Sequence, residues 1–197
     1  MKIYTDLQQG TEEWLKIRLG KLTASKAQAI ATAGKGLDTL VFEKVEELVT
    51  GQIKECYKNE DMIRGNELEP RARNLYELET GNIVKEVGFV ELNDFVGCSP
   101  DGMVGLDGLM EVKSPSLRVY YEYLTTEVID PAYMLQMQMQ MFVADRKWCD
   151  YVVYNPLFKK QPIIIKRVER DEAKIKKIEV GLQIGVSKIQ SILERIK

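Results

Sequence analysis

The chain contains no histidine among its 197 residues, and this absence removes several kinds of active site at once. Ser-His-Asp and Cys-His triads, histidine-ligated zinc and histidine general bases all need an imidazole ring. Any catalysis by this protein would therefore have to use carboxylates, lysine or a metal ion.

Cysteine and long apolar runs are also scarce. The three cysteines, Cys56, Cys98 and Cys149, lie far apart, without the paired spacing of a zinc site, an iron–sulfur site or a disulfide framework. No apolar run approaches the ~20 residues that a membrane span needs, and the N-terminus does not read as a secretion signal. We expect a cytoplasmic protein that makes no contact with a membrane.

Positive and negative charges nearly balance, because the chain has 28 Lys and Arg residues and 30 Asp and Glu residues, which give a formal net charge of −2. A protein that coats nucleic acid normally has a basic excess, although a local basic groove remains compatible with this balance. The apolar share of 45% is that of a globular protein, and no repeat or linker marks a boundary. The length predicts a single domain over residues 1–197.

Capping residues and hydrophobic periodicity predict helices along much of the chain. Three short helices are expected in the N-terminal third, with N-caps at Thr11, Ser25 and either Asp38 or Thr39. Longer helices are predicted over 66–80, 117–124 and 132–143, and from Asp171 onward, where an apolar stripe indicates packing.

Short β-branched or apolar runs predict strands over 83–92, 95–98, 103–105, 109–112, 148–154 and 162–168. Asn-Asp and Leu-Asp-Gly turns separate members of the first four, which we therefore expect to form an antiparallel meander. Strands with helices before, between and after them indicate an α/β fold with a central mixed β-sheet flanked by helices.

Residues 99–102, Ser-Pro-Asp-Gly, and residues 111–113, Glu-Val-Lys, are unusually polar for the strand region they occupy. In a strand, Glu111 and Lys113 point to the same face, and the 106–108 turn brings Asp101 beside them. Two carboxylates suit a hard cation such as Mg²⁺, which supports phosphodiester hydrolysis without histidine, and the Val112 carbonyl could also reach it. The alternative is a Pro-Asp-Gly turn beside a surface Glu-Lys pair.

Four ordered motifs resemble the PD-(D/E)XK nuclease superfamily, and within it the phage lambda exonuclease type, also called the YqaJ-like viral recombinase family. The first is Trp14, Arg18, Gly20 and the Thr-Ala-Ser at 23–25, and the second is the 65–73 segment with Gly65, Glu69 and Ala-Arg. The third is the Pro-Asp and Glu-X-Lys pair above. The fourth is the Tyr-X2-Gln-X-Gln of residues 133–138.

The resemblance implies a restriction-endonuclease-like core and assigns roles by position. It makes Asp101, Glu111 and Glu69 metal-binding residues, Lys113 the catalytic lysine and Gln136 a glutamine beside the catalytic centre. For DNA and its 5′-phosphate it implies the set Arg18, Ser25, Trp14, Ser99, Gln138 and Met62, in which Met62 is an apolar wedge at the duplex end. From the residues alone, Glu69 could instead pair with Arg73, and Arg18 could pack on Trp14.

The function that the resemblance implies is a Mg²⁺-dependent 5′→3′ exonuclease, with Mn²⁺ as a substitute, that acts on double-stranded DNA ends and leaves a 3′ single strand. A homotrimer, a single-strand annealing protein as partner, and a phage or prophage origin in a bacterial host are further implications. Two alternatives are a helicase-associated or CRISPR-adaptation nuclease and a non-catalytic DNA-end-binding module. Scattered cysteines and an intact Asp-Glu-Lys set disfavour them.

Overall fold

The computed structural model describes residues 1–53 and 60–196, with side chains from residue 63 onward in the second range. The polypeptide forms helices and strands in alternation along this part of the chain. In the described residues, no helix is long and apolar enough to cross a membrane.

The helices are α1 (Glu12–Arg18), α2 (Ala27–Thr32), α3 (Lys35–Thr50), α4 (Glu60–Thr80), α5 (Leu117–Thr126), α6 (Pro131–Ala144) and α7 (Glu172–Ile196). The Thr11 hydroxyl accepts a hydrogen bond from the Trp14 amide, which confirms the predicted N-cap of α1. The prediction for α2 was wrong: Ser25 lies in a 3-10 turn, and Lys26 precedes the helix without a side-chain cap. Helix α3 also begins earlier than Asp38, after Gly34.

The strands are β1 (Lys2–Tyr4), β2 (Leu22–Thr23), β3 (Val84–Lys85), β4 (Phe89–Asn93), β5 (Val96–Cys98), β6 (Gly102–Val104), β7 (Gly108–Lys113), β8 (Trp148–Tyr154) and β9 (Ile163–Glu169). They form two sheets, one in the order β1-β4-β5-β2 and one in the order β3-β6-β7-β8-β9. Both sheets are mixed, because β2 pairs with β5 and β7 pairs with β8 in parallel.

The expected meander is only partly correct. The β4–β5 and β6–β7 hairpins are antiparallel as predicted, but they belong to different sheets. The predicted strand over 83–92 is divided at Gly88, where a Cβ atom would overlap the Leu7 carbonyl oxygen. The chain then crosses from one sheet to the other between β5 and β6, at residues 99–101.

Helices cover both faces of the five-stranded sheet. On one face, Ala72 and Tyr76 of α4 pack with side chains that include Met110 and Val152. On the other, Met137 of α6 belongs to the larger core with Leu109 and Tyr151. Side chains alternate between the faces of a strand, so β7 directs Glu111 and Lys113 towards the α6 face.

Helix α7 confirms its predicted packing role, because its apolar stripe is buried at Ile175, Ile178, Leu182 and Ile189. Gly181 and Gly185 allow its close approach to the N-terminal part of the chain. A Cβ atom on Gly181 would overlap the backbone carbonyl of Ile30 in α2.

We predict that Gly181→Ala destabilises the protein by about 1–3 kcal/mol, because the clash is with backbone and the two helices must separate. The melting temperature in thermal denaturation should fall accordingly. Gly36→Ala in α3 is the matched control, since its Cβ would lie 3.5 Å from the Ala29 Cβ, an ordinary contact. A Gly181→Ala protein as stable as the control would contradict this account of the α2–α7 contact.

Candidate active site

Asp101 lies immediately before β6, where the chain enters the five-stranded sheet. The Val112 amide of neighbouring β7 donates a 2.7 Å hydrogen bond to its Oδ2 atom. The N–H and C=O groups of one strand residue point to the same side, so the Val112 carbonyl is also directed towards Asp101. The pairing of β6 with β7 thus brings the predicted aspartate and the predicted carbonyl together.

Glu111 is 1% exposed, and its carboxylate accepts hydrogen bonds from three side chains. Lys113 Nζ and Gln136 Nε2 donate to Oε1 at 2.5 Å and 2.6 Å. Gln140 Nε2 donates to Oε2 at 2.7 Å. Lys113 is on the same strand face, and the two glutamines are one helical turn apart on α6, so the strand and the helix meet at this carboxylate.

Glu69 reaches the same region from α4, on the opposite side of the sheet. Arg73 Nη2 lies 2.7 Å from Glu69 Oε1, and Arg73 Nη1 forms an ion pair with the exposed Glu86. The pairing with Arg73 that the residues alone suggested is therefore confirmed. Glu69 also interacts electrostatically with the Asp101 and Glu111 carboxylates, and its role in metal binding stays a prediction.

Burial and neighbouring charge make ionisation of Asp101 and Glu69 unfavourable. Burial, followed by the Glu111 and Glu69 charges, raises the pKa of Asp101 well above its usual range. Burial also raises the pKa of Glu69, although Arg73 opposes this shift. Burial by itself would lower the pKa of Lys113, but Glu111 and Asp101 more than offset this effect and keep the lysine protonated.

The donor chemistry of the cluster fits a hard divalent cation, because carboxylate and carbonyl oxygens are the ligands that such cations prefer. A cation would also relieve the mutual repulsion of Asp101, Glu111 and Glu69. Within residues 1–53 and 60–196, no three acidic, cysteine or histidine residues stand close enough together to form a finished metal cage. Glu111 is instead turned towards Lys113, Gln136 and Gln140.

A second polar cluster lies beside the first, around Ser99. Trp14 Nε1 and Arg18 Nη1 each donate a 3.0 Å hydrogen bond to the Ser99 hydroxyl. The Arg18 guanidinium stacks 4.1 Å from the Trp14 ring centroid, a cation–π contact. Ser99 is two residues before Asp101, so the structure brings the predicted phosphate-binding arginine next to the predicted metal-binding residues.

Of the other residues predicted to contact DNA, Ser25 is exposed near this cluster, whereas Gln138 is buried elsewhere. Ser25 is exposed, and because β2 and β5 are parallel with Thr23 opposite Gly97, Ser25 and Ser99 leave the sheet at the same end. Gln138 is 1% exposed, and its amide binds the backbone of Glu169 and Asp171 at 2.9 Å and 2.8 Å. The prediction that Gln138 contacts DNA was therefore wrong, since its amide fixes the start of α7.

Met62 lies outside the residues whose side chains the structure describes, so its predicted position as a wedge stays a prediction.

Three residues contribute to the site although the sequence analysis gave them no role. The sequence could have indicated Gln140, because it lies four residues after Gln136 and therefore on the same face of the helix. No sequence pattern indicated Gln9, which is far from Asp101 along the chain. Its Nε2 donates hydrogen bonds to the Val87 and Pro100 carbonyls at 3.0 Å each and so holds the segment before Asp101 in place. Tyr133 lies with its ring centroid 4.7 Å from Lys113 Nζ.

The mixed sheets, their flanking helices and the Asp-Glu-Lys cluster define a member of the PD-(D/E)XK nuclease superfamily. The family model described as the YqaJ-like viral recombinase domain matches residues 13–147. The chain belongs to this family. A search of curated proteins found no match.

Solved structures give the same result. The alkaline exonuclease LHK-Exo from Laribacter hongkongensis is 38% identical, with a TM-score of 0.87 over 94% of this chain and 96% of that one. LHK-Exo in complex with dAMP is 37% identical, with a TM-score of 0.88 over 95% and 96%. A phage-related exonuclease from Haemophilus somnus 129PT shares the fold at 17% identity, with a TM-score of 0.67 over 90% and 96%.

We predict that Asp101→Asn stabilises the protein in EDTA. The parent Asp101 has a folded pKa above its unfolded value of about 3.9, so ionisation costs stability as pH rises from about 4 through the folded pKa. Asparagine lacks this cost, and each kcal/mol recovered raises the melting temperature by ~2–4 °C. The gain should be largest near neutral pH and vanish below about pH 4.

Asp107→Asn is the control, because Asp107 is exposed in the β6–β7 turn, where its carboxylate pairs with Lys147 at 3.1 Å. It should leave the melting temperature in EDTA nearly unchanged. An Asp101→Asn protein that is less stable than the parent at neutral pH would show that the carboxylate cluster is not under electrostatic strain.

Proposed function

We propose that this protein is a Mg²⁺-dependent exonuclease that degrades one strand of linear double-stranded DNA in the 5′→3′ direction. The observation that carries the proposal is the convergence of Asp101, Glu111 and Lys113 at the crossing between the two sheets, with Arg18 and Ser99 beside them. The exonuclease names of the similar structures support it. The dAMP in LHK-Exo supports it too, since a deoxynucleoside monophosphate is what hydrolysis releases from a DNA end.

In this proposal Asp101, Glu111, Glu69 and the Val112 carbonyl would hold Mg²⁺, for which Mn²⁺ could substitute. The cation would neutralise charge on the scissile phosphate and make water a better nucleophile at neutral pH. Lys113 stays protonated beside Glu111, so it donates hydrogen bonds and positive charge where negative charge develops during hydrolysis. Gln136 donates to the same Glu111 oxygen and holds it in place.

The Arg18 cluster supports reading of the 5′ end. A terminal phosphate carries more charge than an internal one and suits the paired donors of a guanidinium. The Arg18 guanidinium stacks on the Trp14 ring and donates to the Ser99 hydroxyl, and these two contacts reduce the entropy lost when phosphate binds. Ser25, exposed at the same end of the sheet, would add a hydroxyl donor.

The wider setting stays a prediction from the family resemblance. It comprises a 3′ single-stranded overhang, a single-strand annealing protein that receives it, a homotrimer and the cytoplasm of a bacterial host carrying a phage or prophage. The helicase-associated or CRISPR-adaptation alternative is disfavoured because Cys98 and Cys149 are both buried and unpaired. The binding-only alternative is disfavoured by the complete Asp-Glu-Lys set.

The decisive experiment follows nucleotide release from linear duplexes labelled at the 5′ or the 3′ end, with Mg²⁺, Mn²⁺ or EDTA. We expect 5′ label to be released first, and only with metal. Asp101→Asn and Glu111→Gln should each reduce cleavage by orders of magnitude while duplex binding persists, because each change removes a metal-binding carboxylate with little change in volume. Release from 3′ ends first, or undiminished cleavage by either variant, would contradict the proposal.

For end recognition, we predict that Arg18→Ala loses the preference for 5′-phosphorylated over 5′-hydroxyl duplexes. Loss of an arginine contact to phosphate costs about 1–3 kcal/mol, or roughly 5- to 150-fold in kcat/KM on the phosphorylated substrate. The 5′-hydroxyl substrate should be affected much less. Lys16→Ala, on the same helix and paired with Glu12 at 2.8 Å, is the control for general charge loss. Equal losses on both substrates would make Arg18 an ordinary backbone contact.

A further inference from the structure

Gln140 is a fully buried polar side chain on α6 that contacts the cluster from the core side. It is 0% exposed, and its Nε2 atom donates to Glu111 Oε2 at 2.7 Å. Its Oε1 atom is also buried and has no hydrogen-bond partner. Buried polar atoms without partners are rare, so a position that tolerates one calls for a functional explanation.

The three donors to Glu111 are not equivalent. Lys113 and Gln136 both donate to Oε1, whereas Gln140 is the one donor to Oε2 among the described residues. The terminal torsion of a glutamate is broad, and a rotation about it moves both carboxylate oxygens together. The donors on Oε1 and the donor on Oε2 therefore restrain the same rotation from the two ends of the group, and Gln140 supplies the restraint at Oε2.

The chemistry of an amide suits this task. It donates a hydrogen bond while remaining neutral, so it adds no charge to a group that already contains Asp101, Glu111 and Glu69. A methionine at this position would match the neighbouring Met137, Met139 and Met141 in the core and would leave no unpartnered oxygen. Packing by itself therefore favours an apolar residue, and the glutamine serves another purpose.

We propose that Gln140 is a positioning residue that fixes the plane of the Glu111 carboxylate for the divalent cation. The inference rests on the proposed function, because it concerns the same metal. Without Gln140 the carboxylate turns more easily about its last bond, because Oε2 loses its donor, and the cation binds more weakly although all of its own ligands remain.

The test is Mn²⁺ binding to the DNA-free protein, followed by electron paramagnetic resonance, with Mg²⁺ competition and a thermal melt in EDTA. We expect Gln140→Met to weaken Mn²⁺ and Mg²⁺ binding by about 10- to 100-fold, as is typical when a hydrogen-bond partner of a metal ligand is lost. Its melting temperature in EDTA measures separately what the loss of this donor to the buried Glu111 carboxylate costs in stability. Gln140→Asn keeps an amide that is too short to reach Glu111, and it should lose affinity similarly.

Gln138→Met is the matched control, because Gln138 is equally buried on α6 but binds the backbone at Glu169 and Asp171. It should melt at a lower temperature and bind Mn²⁺ as the parent does. Parent-like affinity in whichever Gln140 variant folds would overturn the inference. A parent protein that binds no Mn²⁺ would instead remove the proposed metal-dependent function itself.

Discussion

The burial of neighbouring carboxylates, with the repulsion between them as a second cause, is the constraint around which the site is organised. Asp101, Glu111 and Glu69 come from a sheet crossing, a central strand and a helix on the opposite face, and each is held by its own donor: the Val112 amide, three side chains, and Arg73. Like charges brought out of water raise one another's pKa, so only a scaffold with fixed donors keeps them together. A cation bound here would reduce both the repulsion between these carboxylates and the cost of burying their charge.

The architecture supplies those donors from both sides of one sheet. Helix α4 presents Glu69 and Arg73 over one face, and α6 presents Gln136 and Gln140 over the other. The segment between the two hairpins carries both Ser99, which accepts a hydrogen bond from Arg18, and Asp101, which accepts one from the Val112 amide. In the proposed function, the residues that would read the 5′ end and those that would hold the cation therefore meet on this one short segment.

The role of Gln140 illustrates how a core helix serves both packing and chemistry. Its methionines fill the interior, while its glutamines, one turn apart, fix the two oxygens of a single carboxylate. Gln138 lies between them on another face and ties α6 to the start of α7. One short helix thus connects the larger core, the C-terminal helix and the site.

The sequence by itself determined the local features: the Thr11 cap, the Glu111 and Lys113 alternation in β7, the apolar stripe of α7 and the motif residues that identify the family. These follow from side-chain spacing and capping, which act over a few residues. Tertiary structure decided the remaining features. These are the division into two sheets at residues 99–101, the hydrogen bonds of Gln9 to distant carbonyls, the burial of Gln138 and the hydrogen bond from Gln140 to Glu111. They depend on which strands and helices meet in space, and no local pattern encodes that choice.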